Sequence, residues 1–237
     1  MDPGLFPTTI WSQVRLGAAR AAGAPSDAAL AELAGRYQGP AEAYLCAALR
    51  LSREEAHELF QEFFAWMLAS GFLAKADPER GRFRAFLKVA LKRFASDLRR
   101  AEQAEKRGGG RAPLALDEQD SPELADRSTP SPEDALDAAW RAALIDEAFA
   151  RLRTSLEARG RAPAFAVFRD YYLAPEAGPE PDYHALAERH GCTTTDVSNW
   201  LMRTKQAFRE ELRALVLETV RDPEALGDEL AWLFAES

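Results

Sequence analysis

The sequence predicts an all-α protein with two small helical domains joined by an acidic linker. Apolar residues recur every three or four positions through much of the chain, whereas the alternating pattern of strands is almost absent. With 237 residues and 47% hydrophobic content, the chain can bury one large core or two small ones. A proline-rich acidic stretch interrupts the helical pattern near the middle, and we therefore expect two domains.

Composition argues against several classes of protein. Cys46 and Cys192 are the only cysteines, so no disulfide framework is expected and a reducing compartment fits best. The first residues, MDPGLFPTTIWSQV, lack the basic start and apolar core of a signal peptide. No apolar stretch approaches the roughly 20 residues that span a bilayer. We expect a soluble, cytoplasmic protein with no membrane partner.

We divide the chain into four segments. Residues 1–26 form an N-terminal extension, 27–111 a first helical domain, 112–136 a linker, and 137–237 a second helical domain with a C-terminal extension. The linker is recognised by its composition, because the stretch from Ala112 to Asp137 holds eight acidic residues, one Arg and four prolines. Such a segment is expected to be extended and negatively charged.

Three helices are predicted before the basic part of the first domain. The first two cover residues 27–36 and 41–51, with a Gly-Pro pair between them. The third begins after Ser52, because Ser52 and Glu55 have the spacing of a capping box. Gly71 stands where this third helix would end.

The next helix, in RGRFRAFLKVALKRFASDLRR, combines an apolar face with a basic one. Its apolar positions predict core residues: Phe83, Phe86, Leu87, Ala90, Leu91, Phe94 and Leu98. Residues 80–111 carry eleven Lys or Arg and three acidic residues, a net charge of +8 in a chain of net charge -8. This separation suggests a polyanion partner, although a solvated charged face remains the alternative. The candidate DNA-binding residues here are Arg82, Arg84, Lys88, Lys92, Arg93, Arg99 and Arg100.

The stretch YHALAERHGCTTTDVSNW, residues 183–200, has the pattern of a helix-turn-helix. Ala187 is small where the two helices would touch, and Gly191 stands at the turn, where a positive φ is needed. Thr193 is placed to cap the second helix. The apolar contacts between the helices would come from Leu186, Cys192, Val197 and Trp200. The alternative is a helical hairpin with no role in DNA binding.

The second helix of this motif has a polar face that suits base readout. Asn and Gln side chains can read adenine edges, Thr and Met can meet a thymine methyl group, and Arg can bind guanine or phosphate. A recognition helix presents such residues in the major groove. The candidates are Thr194, Thr195, Ser198, Asn199, Met202, Arg203, Gln206 and Arg209.

Enzymatic and metal chemistry have little support. A zinc-binding HExxH pattern starting at His57 would need a second histidine where Gln61 stands. His184, His190 and Cys192 lie close in sequence but lack a fourth ligand. The triple glycine after the basic helix lacks the Lys-Ser/Thr of a phosphate loop, and no Ser/His/Asp set can be nominated. We expect no catalytic residues, no metal and no cofactor.

Taken together, these motifs resemble the extracytoplasmic-function (ECF) type of RNA polymerase sigma factor, in the sigma-70 family. FPTTIWSQV resembles the opening of one large subgroup, and SREEAHELFQEFFAWML resembles the clamp-binding helix of region 2. ADPERGRFRAFL with KRGGG resembles the promoter-melting part and its basic end. The helix-turn-helix resembles region 4, and RALVLETVRDPEALGDELAWLF resembles the C-terminal extension of the subgroup.

The resemblance implies a role in transcription initiation. Region 2 would bind the polymerase clamp and the -10 promoter element, and region 4 would bind the -35 element and the polymerase flap. The acidic linker would run near the RNA path, and an inhibitory anti-sigma protein is a further conceivable partner. The expected clamp contacts are Glu54, Glu55, Glu58, Gln61 and Glu62, whose acidic side chains suit a basic helix. In one departure from the family, only Arg203, Lys205 and Arg209 stand where members have a dense Arg run.

Two other functions remain open from the sequence. A stand-alone helix-turn-helix regulator would bind DNA without polymerase. An interaction module could keep the fold and lack DNA binding. A simple repressor needs neither the Glu-rich helix after Ser52 nor the acidic linker, which favours the sigma factor.

Overall fold

The protein is all-helical in the part that the structure describes, a computed structural model covering residues 27–77, 82–106, 130–173, 182–220 and 226–234. These residues contain eight α-helices, one short 3-10 helix and no strand, which confirms the predicted fold class. None of the helices in these ranges is long and apolar enough to cross a bilayer. The N-terminal extension, the triple glycine and most of the predicted linker lie outside the described residues.

Two compact units divide the helices. The first comprises Met1–Ala143 with Thr219–Arg221, and the second comprises Leu144–Glu218 with Asp222–Ser237. The division falls inside a helix, whereas the sequence analysis starts the second domain at residue 137. In chain order the α-helices are α1 (Asp27–Leu49), α2 (Arg53–Ala69), α3 (Phe83–Lys106), α4 (Pro132–Ala158), α5 (Ala162–Tyr172), α6 (Tyr183–His190), α7 (Thr194–Thr219) and α8 (Leu226–Phe234), and the 3-10 helix is Leu73–Lys75.

Helix α1 is a single helix, so the predicted break at the Gly-Pro pair is wrong. Pro40 lies inside it. A proline in a helix removes one backbone hydrogen bond and crowds the preceding turn. Here the buried face continues across the proline, with Leu33 and Tyr37 before it and Ala41 and Leu45 after it. Burial on both sides favours one continuous helix over two.

Helix α2 begins and ends as predicted. Ser52 and Glu55 form a reciprocal capping box, in which the Glu55 amide donates to Ser52 Oγ at 3.3 Å and the Ser52 amide donates to the Glu55 carboxylate at 2.8 Å. Gly71 follows the helix with a φ of 63°. The buried face of α2 comprises Ala56, Phe60, Phe63 and Met67.

Helices α2 and α3 meet through aromatic rings. The Phe63 and Phe94 rings lie edge to face with centroids 5.4 Å apart, and the Trp66 and Phe94 centroids are 5.7 Å apart. Such pairs add to the stabilisation from buried area. Phe83, Leu87, Ala90, Leu91 and Phe94 are buried, which confirms the predicted apolar face of α3.

Helix α4 begins inside the segment predicted as linker. Ser131 Oγ accepts a hydrogen bond from the Asp134 amide at 3.1 Å, and Pro132 is the first helical residue. A capping hydroxyl followed by proline is a strong helix start. Leu136 and Trp140 are then buried, and the indole of Trp140 stacks on Tyr37 with centroids 4.7 Å apart and an interplanar angle of 1°. The start of α4 is therefore packed into the first unit.

The second unit has its own core around the helix-turn-helix. Its buried members are Leu152, Leu156, Val167, Phe168, Leu186, Ala187, Val197 and Leu201. Asp170 of α5 also holds α6, because its carboxylate lies 3.0 Å from His190 Nε2 and 2.8 Å from Arg169 Nη2. Burial alone would raise the pKa of Asp170, but the hydrogen bonds from Arg169 and His190 outweigh it and lower the pKa.

Candidate functional site

The turn of the helix-turn-helix has the predicted geometry. Gly191 adopts φ 62° and ψ 37° and ends α6. The Cys192 amide donates to the Ala187 carbonyl at 3.0 Å, and the Gly191 amide donates to the Glu188 carbonyl at 3.4 Å. This left-handed turn satisfies carbonyl groups at the end of α6 and directs the chain into α7.

Helix α7 starts with a reciprocal cap. The Asp196 amide donates to Thr193 Oγ1 at 3.1 Å, while the Thr193 amide and hydroxyl donate to the Asp196 carboxylate at 3.0 and 2.6 Å. These two hydrogen bonds from Thr193 lower the pKa of Asp196. The structure confirms Thr193 as the cap and adds Asp196, which the sequence analysis did not single out although its spacing follows the capping-box pattern.

The two helices of the motif pack as expected. Leu186 and Ala187 of α6 are buried in the same core cluster as Val197 and Leu201 of α7. Cys192 and Trp200 pack against that cluster while partly buried. A small residue at position 187 therefore lies where the helices approach each other.

Gly191→Ala should lower the free energy of unfolding by about 1–2 kcal/mol, the usual cost of a left-handed conformation for a residue with a Cβ. The cost would come from the backbone alone, because an added Cβ would meet no atom within 4 Å. Chemical denaturation followed by circular dichroism measures it. Gly35→Ala is the matched control, since Gly35 lies within α1 with open space around it. It should stabilise the protein by about 0.5–1 kcal/mol. Equal effects of both changes would contradict this account of the turn.

The predicted readout residues lie together on the exposed face of α7. The opposite face is buried through Val197, Leu201 and Leu212, and Thr204 is buried among them. Gln206 donates to the Glu210 carboxylate at 2.9 Å, so its amide is already oriented by a neighbour one turn away. The exposed set is Thr194, Thr195, Ser198, Asn199, Met202, Arg203, Gln206 and Arg209.

An apolar cleft of about 800 Å³ lies on another part of the second unit, and the sequence analysis missed it. Its wall includes Tyr172, Leu173 and Phe234, which are exposed. Lys205 lies over the Tyr172 ring at 5.6 Å. The cleft needs α5, α7 and α8 together, and therefore no single stretch of sequence indicates it.

The basic face of α3 is only partly available to a ligand. Arg84 is buried, and Arg84 Nη1 lies 3.5 Å from the Asp137 carboxylate. Lys88 Nζ donates to the same carboxylate at 2.7 Å. The expectation that Arg84 and Lys88 form an open row with Lys92 is therefore wrong, because α4 supplies an acidic side chain at this point.

The remaining basic residues of α3 have varied surroundings. Arg99 donates to the Ala48 carbonyl, and Arg100 donates to Ser96 Oγ at 3.0 Å. The guanidinium of Arg93 lies 5.9 Å from the centre of the Phe72 ring. Lys92, Arg93, Arg99 and Arg100 are exposed, and Arg82 is half-buried.

A groove of about 760 Å³ with an acidic rim lies between α2 and α3. Leu51, Leu59 and Leu98 are half-buried on its surface. Its acidic residues are Glu55, Glu58, Glu62 and Glu102, and Arg50 and Arg99 also line it. The five predicted clamp contacts are exposed: Glu54, Glu55, Glu58, Gln61 and Glu62.

Glu55 differs from the other acidic residues of this groove. Its carboxylate accepts hydrogen bonds from the Ser52 hydroxyl at 2.7 Å and from the Ser52 amide, which lower the pKa of Glu55. The side chain is therefore committed to the start of α2. Glu58 and Glu62 have no such role in the cap and remain the stronger candidates for contacting a partner.

Two histidines considered as metal ligands hold helices together instead. His57 Nδ1 lies 2.8 Å from the Glu42 carboxylate and links α2 to α1, while His190 holds Asp170. In the described ranges no group of three or more His, Cys, Asp or Glu side chains could hold a metal ion. Comparisons with protein-family models, curated proteins and solved structures found no match to this chain.

Proposed function

We propose that this protein is a promoter-specificity subunit of bacterial RNA polymerase, of the ECF sigma-factor type. The observation that supports it most is the helix-turn-helix in the second unit, with its left-handed turn at Gly191 and its capped α7. The polar side chains of α7 lie on the exposed face, where a major groove could accept them. Helix α7 would read the -35 element.

The acidic groove supports the polymerase half of the proposal. Glu58 and Glu62 flank half-buried leucines, so a partner helix with basic and apolar residues could gain both charge pairing and apolar burial. The clamp helix of core polymerase would lie here. The apolar cleft of the second unit would receive the polymerase flap.

Binding to purified bacterial core polymerase tests this function most directly. The protein should co-elute with core enzyme in size-exclusion chromatography and should direct initiation from a restricted set of sequences in a randomised promoter library. The free protein should bind the same sequences weakly, because each unit offers a small contact and the net charge is -8. Tight, sequence-specific binding without polymerase would favour the stand-alone regulator.

Asn199→Ala should weaken recognition of the preferred -35 sequence by about 1–3 kcal/mol, since a bidentate amide distinguishes one base pair from another. On a promoter altered at the contacted base the loss should be much smaller. Competition between promoter variants in holoenzyme binding measures both. Thr195→Ala is the control for a nearby exposed substitution on α7. An equal loss on every -35 variant would show that Asn199 does not read a base.

A further inference from the structure

One carboxylate on α4 engages two of the basic residues on α3. Asp137 lies 2.7 Å from Lys88 Nζ and 3.5 Å from Arg84 Nη1. Its side chain is 19% exposed, while those of Lys88 and Arg84 are 26% and 9% exposed. Charge pairs this well shielded from water are screened less by salt than pairs on an open surface.

Asp137 is held in place by a packed helix start. Leu136 precedes it in the core, and Trp140 follows one turn later, stacked on Tyr37. Ser131 and Asp134 cap the same turn of α4. The carboxylate is therefore presented to α3 by a rigid element anchored in the same unit.

The arrangement places an anion where a phosphate would otherwise lie. Lys88 donates to an oxygen of a carboxylate at a charge-assisted distance, as it would to a phosphate oxygen. A phosphate cannot use the same donors while Asp137 holds them. Lys92, one turn further along α3, stays exposed, so only part of the basic face is blocked.

We propose that Asp137 is an autoinhibitory latch, which occupies Arg84 and Lys88 in place of DNA phosphates until the first turns of α4 move away. The latch rests on the proposed function to the extent that α3 contacts DNA. It requires nothing of polymerase. In the free protein the latch is closed, and DNA meets only the outer part of the basic face.

Asp137→Asn tests the latch in the full-length protein, with a mixed-sequence DNA duplex as the probe and no polymerase. Asp146→Asn is the matched control, because Asp146 is exposed on the same helix and the change in net charge is identical. Relative to that control, Asp137→Asn should bind the duplex about tenfold more tightly at low salt. Its salt dependence should be steeper by about one to two units on a logarithmic plot, or about 0.9 per phosphate contact regained. Adding Lys88→Ala to Asp137→Asn should remove most of this gain.

A second comparison avoids any loss of folding in the Asp137 variant. In the otherwise unaltered chain, Lys88→Ala should leave duplex binding nearly unchanged, whereas Lys92→Ala should weaken it. Equal losses from these two changes would overturn the latch, as would identical binding by Asp137→Asn and Asp146→Asn. A purely structural ion pair would change the melting temperature alone. Failure to bind polymerase would overturn the proposed function without affecting these results.

Discussion

Replacing Trp140 with alanine is expected to lower the free energy of unfolding of the first unit by about 3–5 kcal/mol, the usual cost of truncating a buried Trp or Phe. The indole is 1% exposed and lies flat on the Tyr37 ring. Its loss would leave a cavity and remove an aromatic stack. A change of this size is a large fraction of the total stability of a typical domain.

Chemical denaturation monitored by circular dichroism measures the Trp140 effect. Trp140→Phe should cost less than Trp140→Ala, because a ring remains to contact Tyr37. Val89→Ala, at an exposed position of α3, should change stability by less than about 0.5 kcal/mol. If Trp140→Ala behaved like Val89→Ala, the start of α4 would not be part of the first core.

Reversing charge at Glu58 and Glu62 should weaken binding to core polymerase by several kcal/mol, or about a hundredfold or more. Both carboxylates lie on the rim of the acidic groove and are exposed. Glu58→Lys with Glu62→Lys would set like charges against a basic clamp helix. Folding should be nearly unaffected, since exposed substitutions usually change stability by about 0.5 kcal/mol or less.

Fluorescence titration with core polymerase measures this loss, and circular dichroism checks the fold. Asp146→Lys with Glu157→Lys is the matched control, because it makes the same change in net charge at exposed positions of α4. The control should retain polymerase affinity within a few-fold. Similar affinity for both double variants would separate the acidic groove from polymerase binding.

Much of the local structure could be predicted because its causes are local. The caps at Ser52 and Thr193 involve a partner three residues away, and the turn at Gly191 depends on a single backbone conformation. The apolar face of α3 follows from the helical period alone. Each of these predictions is confirmed.

The errors occurred where residues distant in sequence meet. Pro40 suggested a break, but α1 continues because residues on both sides of the proline are buried. The acidic stretch suggested a linker up to residue 136, but α4 begins at Pro132 and buries Trp140 against Tyr37. In both places tertiary burial outweighs the local preference.

The two candidate surfaces differ in the same way. The readout face of α7 follows from its sequence, because burial of one face of a helix leaves the opposite residues exposed. The basic face of α3 does not follow, since 49 positions along the chain separate Lys88 from Asp137. The sequence by itself determined the helices, their caps and the helix-turn-helix, which depend on neighbours within one or two turns. Only the tertiary structure decided which cations on α3 are occupied and where the first core ends, because those contacts form between helices brought together by packing.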